Sequence, residues 1–170
     1  MKPTDLNPGL VAWFREYDEY HRHPLNRLTH KLAIPLIVFH VVAMFGWLHL
    51  FQLGGVDVNA GHLVLLASLA FYLPLSPLYA VIMVAAGLGS LFLSQRMEAT
   101  LGVQQARVVI VGIAVFAWIV QLAGHTVWEK RSPAFTKNLL QALVGPIYFL
   151  ALVLGHWQAP LAREQGATAP

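Results

Sequence analysis

The chain of 170 residues contains no cysteine, and charge is scarce. Without thiols there can be no disulfide, no Cys-ligated zinc, no iron–sulfur cluster and no thiol nucleophile. Charged residues make up 11% of the chain and hydrophobic ones 57%, whereas a soluble domain is about one-quarter charged. The deficit is local: Leu32–Val56 and Val58–Gln95 hold no Asp, Glu, Lys or Arg. Runs of this kind read as membrane-spanning. That excludes an ordinary cytosolic enzyme and a disordered tail. The basic excess is thin, 11 Lys and Arg against 8 acids. Cytoplasmic flanks of membrane segments explain it better than a phosphate-binding stripe, so a nucleic-acid partner is excluded as well.

What is abundant is histidine. The eight His equal all the acids together. Imidazole is the commonest metal ligand and the side chain that titrates nearest neutral pH. Composition therefore points to a small membrane protein whose chemistry, if it has any, is done by histidine.

The first twenty residues mix charges with apolar side chains and do not read as a cleavable signal peptide. Leu10, Trp13, Phe14, Tyr17 and Tyr20 follow helical spacing, which predicts an N-terminal amphipathic helix, lying on the bilayer or packed on neighbouring helices. Pro24 ends it, and Asn26 reads as the N-cap of a helix from Arg27. Four to five hydrophobic helical segments then follow in an all-α integral membrane fold. The first is Leu32–Leu53, with Pro35 kinking it, before a polar turn at Gly54–Asn59. Residues 62–93 would make one helix of about 48 Å, well over the hydrocarbon thickness, but Pro74, Ser76 and Pro77 divide them into two segments. Residues 94–107 read as a surface loop or short interfacial helix. Val108–Ala123 is the fourth segment, and a last helix is expected from Ser132–Pro133 to Trp157. Residues 1–170 form a single membrane domain in this scheme, with the amphipathic helix and a His-containing turn in 1–31 and a flexible tail over 158–170.

Polar residues gather in Tyr20–Lys31 and Gln121–Arg131, both at the ends of apolar segments, where charge is tolerable. On one straight helix His21 and His30 would face opposite ways, but a helix–turn–helix at Pro24 can fold them together. His23 projects from the turn. His125 and Glu129 are i and i+4, so a third imidazole and a carboxylate can complete a ligand shell with open positions. Each of these residues also has a plainer role open to it, as an interface anchor or a salt-bridge partner. His40, His49, His62 and His156 read as interhelical hydrogen-bonders or interface residues, with His40 or His49 a further ligand candidate. For the clusters to share an ion, the chain between them must cross the membrane an even number of times. Residues 62–93 must then contribute two crossings or none. Lys and Arg flank both clusters and are missing from the Gly54–Gly61 turn, which places both clusters on the cytoplasmic side.

The stretch YHRHPLNRLTHKLAIP (20–35) resembles the first signature of the 2-hydroxy-fatty-acid dioxygenases of fatty-acid α-oxidation, and QLAGHTVWEKRSPAFTKNLLQALVGPIYF (121–149) is similar to their second. The resemblance covers residues 8–157 and implies a haem-free Fe(II) enzyme. Such an enzyme uses O2 to remove C1 of a 2-hydroxy fatty acid. It implies His21, His30 and His125 as metal ligands, with Ala33 and His23 as departures from the family pattern. Beside it, Glu129 or His23 is an additional ligand or a support to the ligands. Arg131 and Arg27 are candidates to hold the substrate carboxylate, and Tyr20 and Asn26 to orient a ligand. Imidazole with open positions suits non-haem iron(II) independently of the family. The expected partners are 2-hydroxy fatty acid, O2 and membrane lipid, with a homo-oligomer left open. The membrane is the bacterial inner membrane or the endoplasmic reticulum. Rival readings are a lipid-binding or scaffold protein with interfacial histidines, or a metal-dependent lipid hydrolase or hydroxylase. A di-iron desaturase is disfavoured, because HxxxH and HxxHH spacings are missing.

Overall fold

The computed structural model describes residues 6–158, so all of the expected flexible tail after Gln158 lies outside the described residues. In chain order the elements are α1 (Pro8–Asp18), α2 (Pro24–Gly46), β1 (His49–Leu53), β2 (Val56–Asn59), α3 (Ala60–Tyr72), α4 (Pro77–Leu101) and α5 (Val103–Ala123). A π-helical turn (Gly124–Glu129), a 3-10 turn (Ala134–Thr136) and α6 (Gln141–Val153) complete it. The chain forms two compact units, one from Met1–Ile34 with Ile119–Pro170, the other Pro35–Trp118.

In the first unit, Asn7 caps α1 by accepting the Gly9 N–H at 2.8 Å, and Pro8 supplies the preset φ of a first helical turn. The expected apolar stripe is the buried one: Leu10, Phe14 and Tyr17 face α6. Phe14 meets Tyr148 edge-on at 5.5 Å, and Tyr17 meets it at 4.7 Å. Of the two placements open to this helix, packing is the one that this face serves.

Helix α2 starts three residues earlier than Asn26 suggests. Pro24 takes the first helical position, the His23 carbonyl accepts the Arg27 N–H at 3.1 Å, and the His23 imidazole Nδ1 accepts the Leu25 N–H at 3.2 Å. A histidine thus caps the helix, and Asn26 is freed from capping. Pro35 lies inside α2 without ending it.

In the second unit the apolar segment expected to reach Leu53 stops as helix at Gly46. His49–Leu53 is instead a strand, antiparallel to Val56–Asn59. The cause is legible after the fact. Gly54 and Gly55 both take positive φ, 56° and 81°, which a two-residue hairpin turn requires, and Val56–Asp57–Val58 alternates with period two. The fold is therefore helical with one small β-hairpin, not purely α.

The division of residues 62–93 is observed. Ser76 and Pro77 open α4, the Ser76 hydroxyl accepting the Tyr79 N–H at 3.4 Å. Helices α3 and α4 pack antiparallel, since Gly61 lies against Leu91 while Gly87 lies against Leu65. Val42, Leu65 and Leu91 form the core of this unit. Residues 94–107 are not a loop: α4 runs to Leu101, Gly102 ends it at φ 84°, and α5 resumes at once. At the other end, the helix expected from Ser132 is delayed to Gln141 by the 3-10 turn.

Three helices are long and apolar enough to cross a membrane: Pro24–Gly46, Pro77–Leu101 and Val103–Glu129. With 13 residues each, α3 and α6 reach only about 20 Å against a ~30 Å hydrocarbon core.

Candidate metal site

All components of the candidate site lie in the unit containing α1, the start of α2, the π turn and α6. His21 sits in the turn after α1, its N–H bonded to the Asp18 carbonyl at 3.1 Å. Its Nδ1 donates to the Tyr17 carbonyl at 2.8 Å. His30, on the buried face of α2, makes the same bond with the carbonyl four residues back, Nδ1 to Asn26 at 2.8 Å. A carbonyl can only accept, so both rings carry their proton on Nδ1 and hold a lone pair on Nε2. His125, in the π turn, brings its Nε2 to 3.0 Å from the Nε2 of His30. Ring centroids are 4.5 Å apart for His21–His30, 4.9 Å for His21–His125 and 4.7 Å for His30–His125. Each ring offers a ligand atom within 4.8 Å of the others, and no second such group of three occurs among the described residues.

This arrangement cannot satisfy itself. Among the described residues nothing pairs with His21 Nε2 or His125 Nδ1, although both atoms are buried. If His125 Nε2 donates to His30, then the His125 Nδ1 lone pair is stranded. If Nδ1 holds the proton instead, two lone pairs confront each other at 3.0 Å. Buried orphans of this kind each cost about 1–3 kcal/mol. A cation among the three rings removes the conflict, and carbonyl-anchored imidazoles are the usual support of a metal centre. Three buried histidines this close together can bind a metal.

The walls are aromatic. Tyr17 stacks on His21 at 3.9 Å, and Phe149 lies 5.6 Å from His30 and 6.1 Å from His21. Burial, followed by the neighbouring His30, holds the His21 pKa well below the ordinary imidazole value. The sign of the pH effect follows. The unfolded ring binds a proton below about 6.5 and the folded ring does not, so stability falls as pH drops from 6.5 towards the folded pKa. The metal-free protein is expected to lose up to about 1.4 kcal/mol per pH unit from His21 over this window. Denaturant titrations between pH 7 and 5 would measure it; a flat profile would contradict the buried neutral ring.

Glycine at 124 sets the approach of the π turn to α2, since a Cβ there would meet Asn26 Oδ1 and Thr29 Oγ1. Glu129, at the end of the turn, is held by hydrogen bonds to the start of α2. Its Oε1 accepts the His23 N–H at 2.6 Å and the Asn26 Nδ2–H at 3.1 Å, beside the positive N-terminal end of α2. In an i→i+5 turn residues four apart still lie close to one face, and the Glu129 charge is felt by His125. Lys130 ends the turn in the left-handed region, φ 53°.

The remaining candidates are also placed by their contacts. Asn26 links Glu129 to the Tyr20 carbonyl, the latter at 3.4 Å. Arg27 donates from Nε to the His21 carbonyl at 2.5 Å, which braces the backbone of a site histidine. Arg131 reaches the Glu19 carbonyl at 3.4 Å on the exposed side. Lys137 lies 5.6 Å over the Tyr20 ring, and His23 is 6.5 Å from Trp128. Outside the site, His40 donates from Nδ1 to Leu36 and accepts from Trp118 Nε1 at 3.2 Å, as an interhelical hydrogen-bonder. His49 pairs with Asp57 on the hairpin, and His62 Nδ1 accepts the Asn59 N–H at 3.2 Å.

Sequence reasoning missed Asp18, Tyr148, Phe149 and Gln121. Asp18 is buried and accepts from the Tyr148 hydroxyl and from Trp157 Nε1 at 3.1 Å; burial raises its carboxyl pKa. Its only sequence signal is a position beside Tyr17 on the apolar face of α1.

The model of the family described as "2-hydroxy-palmitic acid dioxygenase Mpo1-like" matches residues 9–157. The chain belongs to this family. A curated relative, the 2-hydroxy-palmitic acid dioxygenase MPO1 of Saccharomyces cerevisiae, is 30% identical over 134 residues, covering 79% of this chain and 72% of the relative. No solved structure matches. The matched span contains all three histidines together with Glu129, Asn26 and Gly124.

Proposed function

We propose that this chain is an integral membrane dioxygenase that removes C1 from 2-hydroxy fatty acids, leaving an acid one carbon shorter. The observation that carries the reading is the convergence of three buried imidazoles, with His21 Nε2 unpartnered and His30 Nε2 only 3.0 Å from His125 Nε2. Membership of a family described by 2-hydroxy-palmitic acid dioxygenation supports the reaction class. The reaction balances without a separate reductant: one 2-hydroxy acid and one O2 give the shortened acid, CO2 and water. C1 leaves as CO2, C2 rises to the carboxyl level, and the four electrons released reduce O2.

His21, His30 and His125 would hold iron(II), which suits an imidazole set with open positions. When bound, the ion supplies O2 activation and a chelation point for the acid's carboxylate and hydroxyl. The protein's part is orientation and exclusion of water. The Tyr17 and Asn26 carbonyls fix two ring tautomers, Tyr17 and Phe149 wall off the rings, and Glu129 with Asn26 ties the π turn to α2. Arg27 and Arg131 sit on backbone carbonyls at the rim, from which they would draw an anionic acid inward. Membrane residence is supported by the three long apolar helices, whose exposed side chains include Phe92, Phe116 and Ile119. The acyl tail would lie between helices or in lipid, with the polar site on the cytoplasmic side.

The test is turnover by the purified full-length chain loaded with Fe(II), given 2-hydroxypalmitate and O2. Pentadecanoate is expected by mass spectrometry, with O2 uptake matching product one-to-one. No shortened acid across a range of chain lengths would sink the proposal.

A further inference from the structure

One buried polar group, a helical turn along the chain from His125, has no role in the account above. Gln121 is 6% exposed and lies one helical turn before His125, on the same buried face as Gly124 and His125, while the adjoining Leu122 and Thr126 face outward. Its Oε1 is fully buried and has no hydrogen-bond partner among the described residues. An acceptor left dry costs about 1–3 kcal/mol unless a donor arrives.

Candidate donors are few. A 2-hydroxy acid anion has a carboxylate, which only accepts, and one donor, the hydroxyl at C2. The Nε2 lone pairs of His21 and His30 face the cation position. Of the other orphan acceptors in this unit, Asn26 Oδ1 is pressed against Gly124, where not even a Cβ fits. Gln141 Oε1 belongs to the first residue of α6, eight residues (about 12 Å of helix) before Phe149, the α6 side chain that lies against His21 and His30. We propose that Gln121 Oε1 receives the hydrogen bond of the substrate's 2-hydroxyl and is the residue by which the site selects 2-hydroxy acids over unsubstituted ones. The assignment rests on the function proposed above and names the group that enforces its specificity. An acceptor built for a substrate hydroxyl rejects analogues without the proton, because it is left unpaired when they bind. It is a binding residue, and the metal needs only the three histidines.

The test is equilibrium binding without O2, on the full-length chain in detergent with Fe(II) bound. The probes are 2-hydroxypalmitate, palmitate and 2-methoxypalmitate, the last keeping the oxygen but lacking the proton. The wild type is expected to bind the hydroxy acid about tenfold or more tightly than either analogue. Gln121→Met, which keeps bulk and removes the acceptor, should bring the three Kd values together while leaving iron content and palmitate affinity unchanged. Gln121→Glu, which keeps an acceptor oxygen, should retain the preference. The proposal is overturned if Gln121→Met keeps the preference, if Gln121→Glu loses it with iron retained, or if the wild type binds 2-hydroxy and 2-methoxy acids alike. If the wild type still produces pentadecanoate from 2-hydroxypalmitate, such a result removes Gln121 alone. A wild type that neither binds nor shortens the hydroxy acid removes the enzyme reading itself.

Discussion

Replacing His30 with alanine is expected to abolish metal binding while leaving a folded protein. The same is expected of His21→Ala and His125→Ala. Each ring contributes one of three ligand atoms lying within 4.8 Å of one another, and two ligands cannot hold a divalent ion as three do. Even loss of a group that merely supports a ligand weakens metal binding about 10–100-fold, so loss of a ligand should exceed about 100-fold. Iron measured by mass spectrometry should fall from near-stoichiometric to a trace, and acid shortening should vanish with it. The folded state should survive better than a core truncation usually allows. For His21→Ala and His125→Ala, removing the imidazole also removes a buried nitrogen that has no partner in the metal-free protein, which offsets part of the cavity cost. His49→Ala is the control: that ring pairs with Asp57 on the exposed hairpin and should leave iron unchanged. Triad variants that retain iron would refute the ligand assignment.

The second large effect is expected from one methyl group. Gly124→Ala places a Cβ into the Asn26 amide and the Thr29 hydroxyl. Neither partner is free to yield. Asn26 is fully buried and bonded through Nδ2 to Glu129 and Tyr20, and the Thr29 hydroxyl is held by the Asn26 carbonyl at 2.8 Å. The π turn must therefore retreat from α2. Overpacking of this kind costs about 1–3 kcal/mol. The functional loss should be larger, because the retreat carries His125 away from His30 at a contact of only 3.0 Å. Iron affinity is expected to drop about 10–100-fold, in the range seen when support for ligands is lost. Combining Gly124→Ala with Asn26→Ala and Thr29→Ala removes both atoms the methyl group would meet and should recover part of the stability, though not the link to Glu129. A Gly124→Ala protein with wild-type iron affinity would show that the close approach does not position His125.

These two predictions differ in how far the sequence alone leads to them. The three histidines were legible because a helix–turn–helix at Pro24 is the only economical way to bring His21 and His30 together. His125 lies at the end of another apolar segment on the same predicted membrane side. The broad helical plan was legible for a similar reason: long charge-free apolar runs read as helix, the backbone that satisfies its hydrogen bonds within one segment. The break at Pro74–Pro77 was local chemistry too, since two prolines and a capping serine stop one helix and start another.

Other features were settled only by tertiary contacts. Asn26 reads as a cap in sequence, yet His23 caps the helix and Asn26 bridges to Glu129, more than a hundred residues along the chain. The spacing of His125 and Glu129 could not show which polar groups the carboxylate meets: with the π turn held against α2 through Gly124, Glu129 accepts the His23 N–H and the Asn26 amide. The hairpin at His49–Asn59 was hidden within an apolar run that looked like the tail of a helix, although its Gly-Gly turn was in plain view. The scarcity of charge pointed to lipid as the solvent, and the absence of cysteine left histidine as the candidate for the chemistry. Only the tertiary structure decided which imidazoles meet and which polar atoms are left without partners. Those outcomes depend on how closely α2 and the π turn approach one another and on which hydrogen bonds that distance permits. No periodicity along a single segment encodes such a distance.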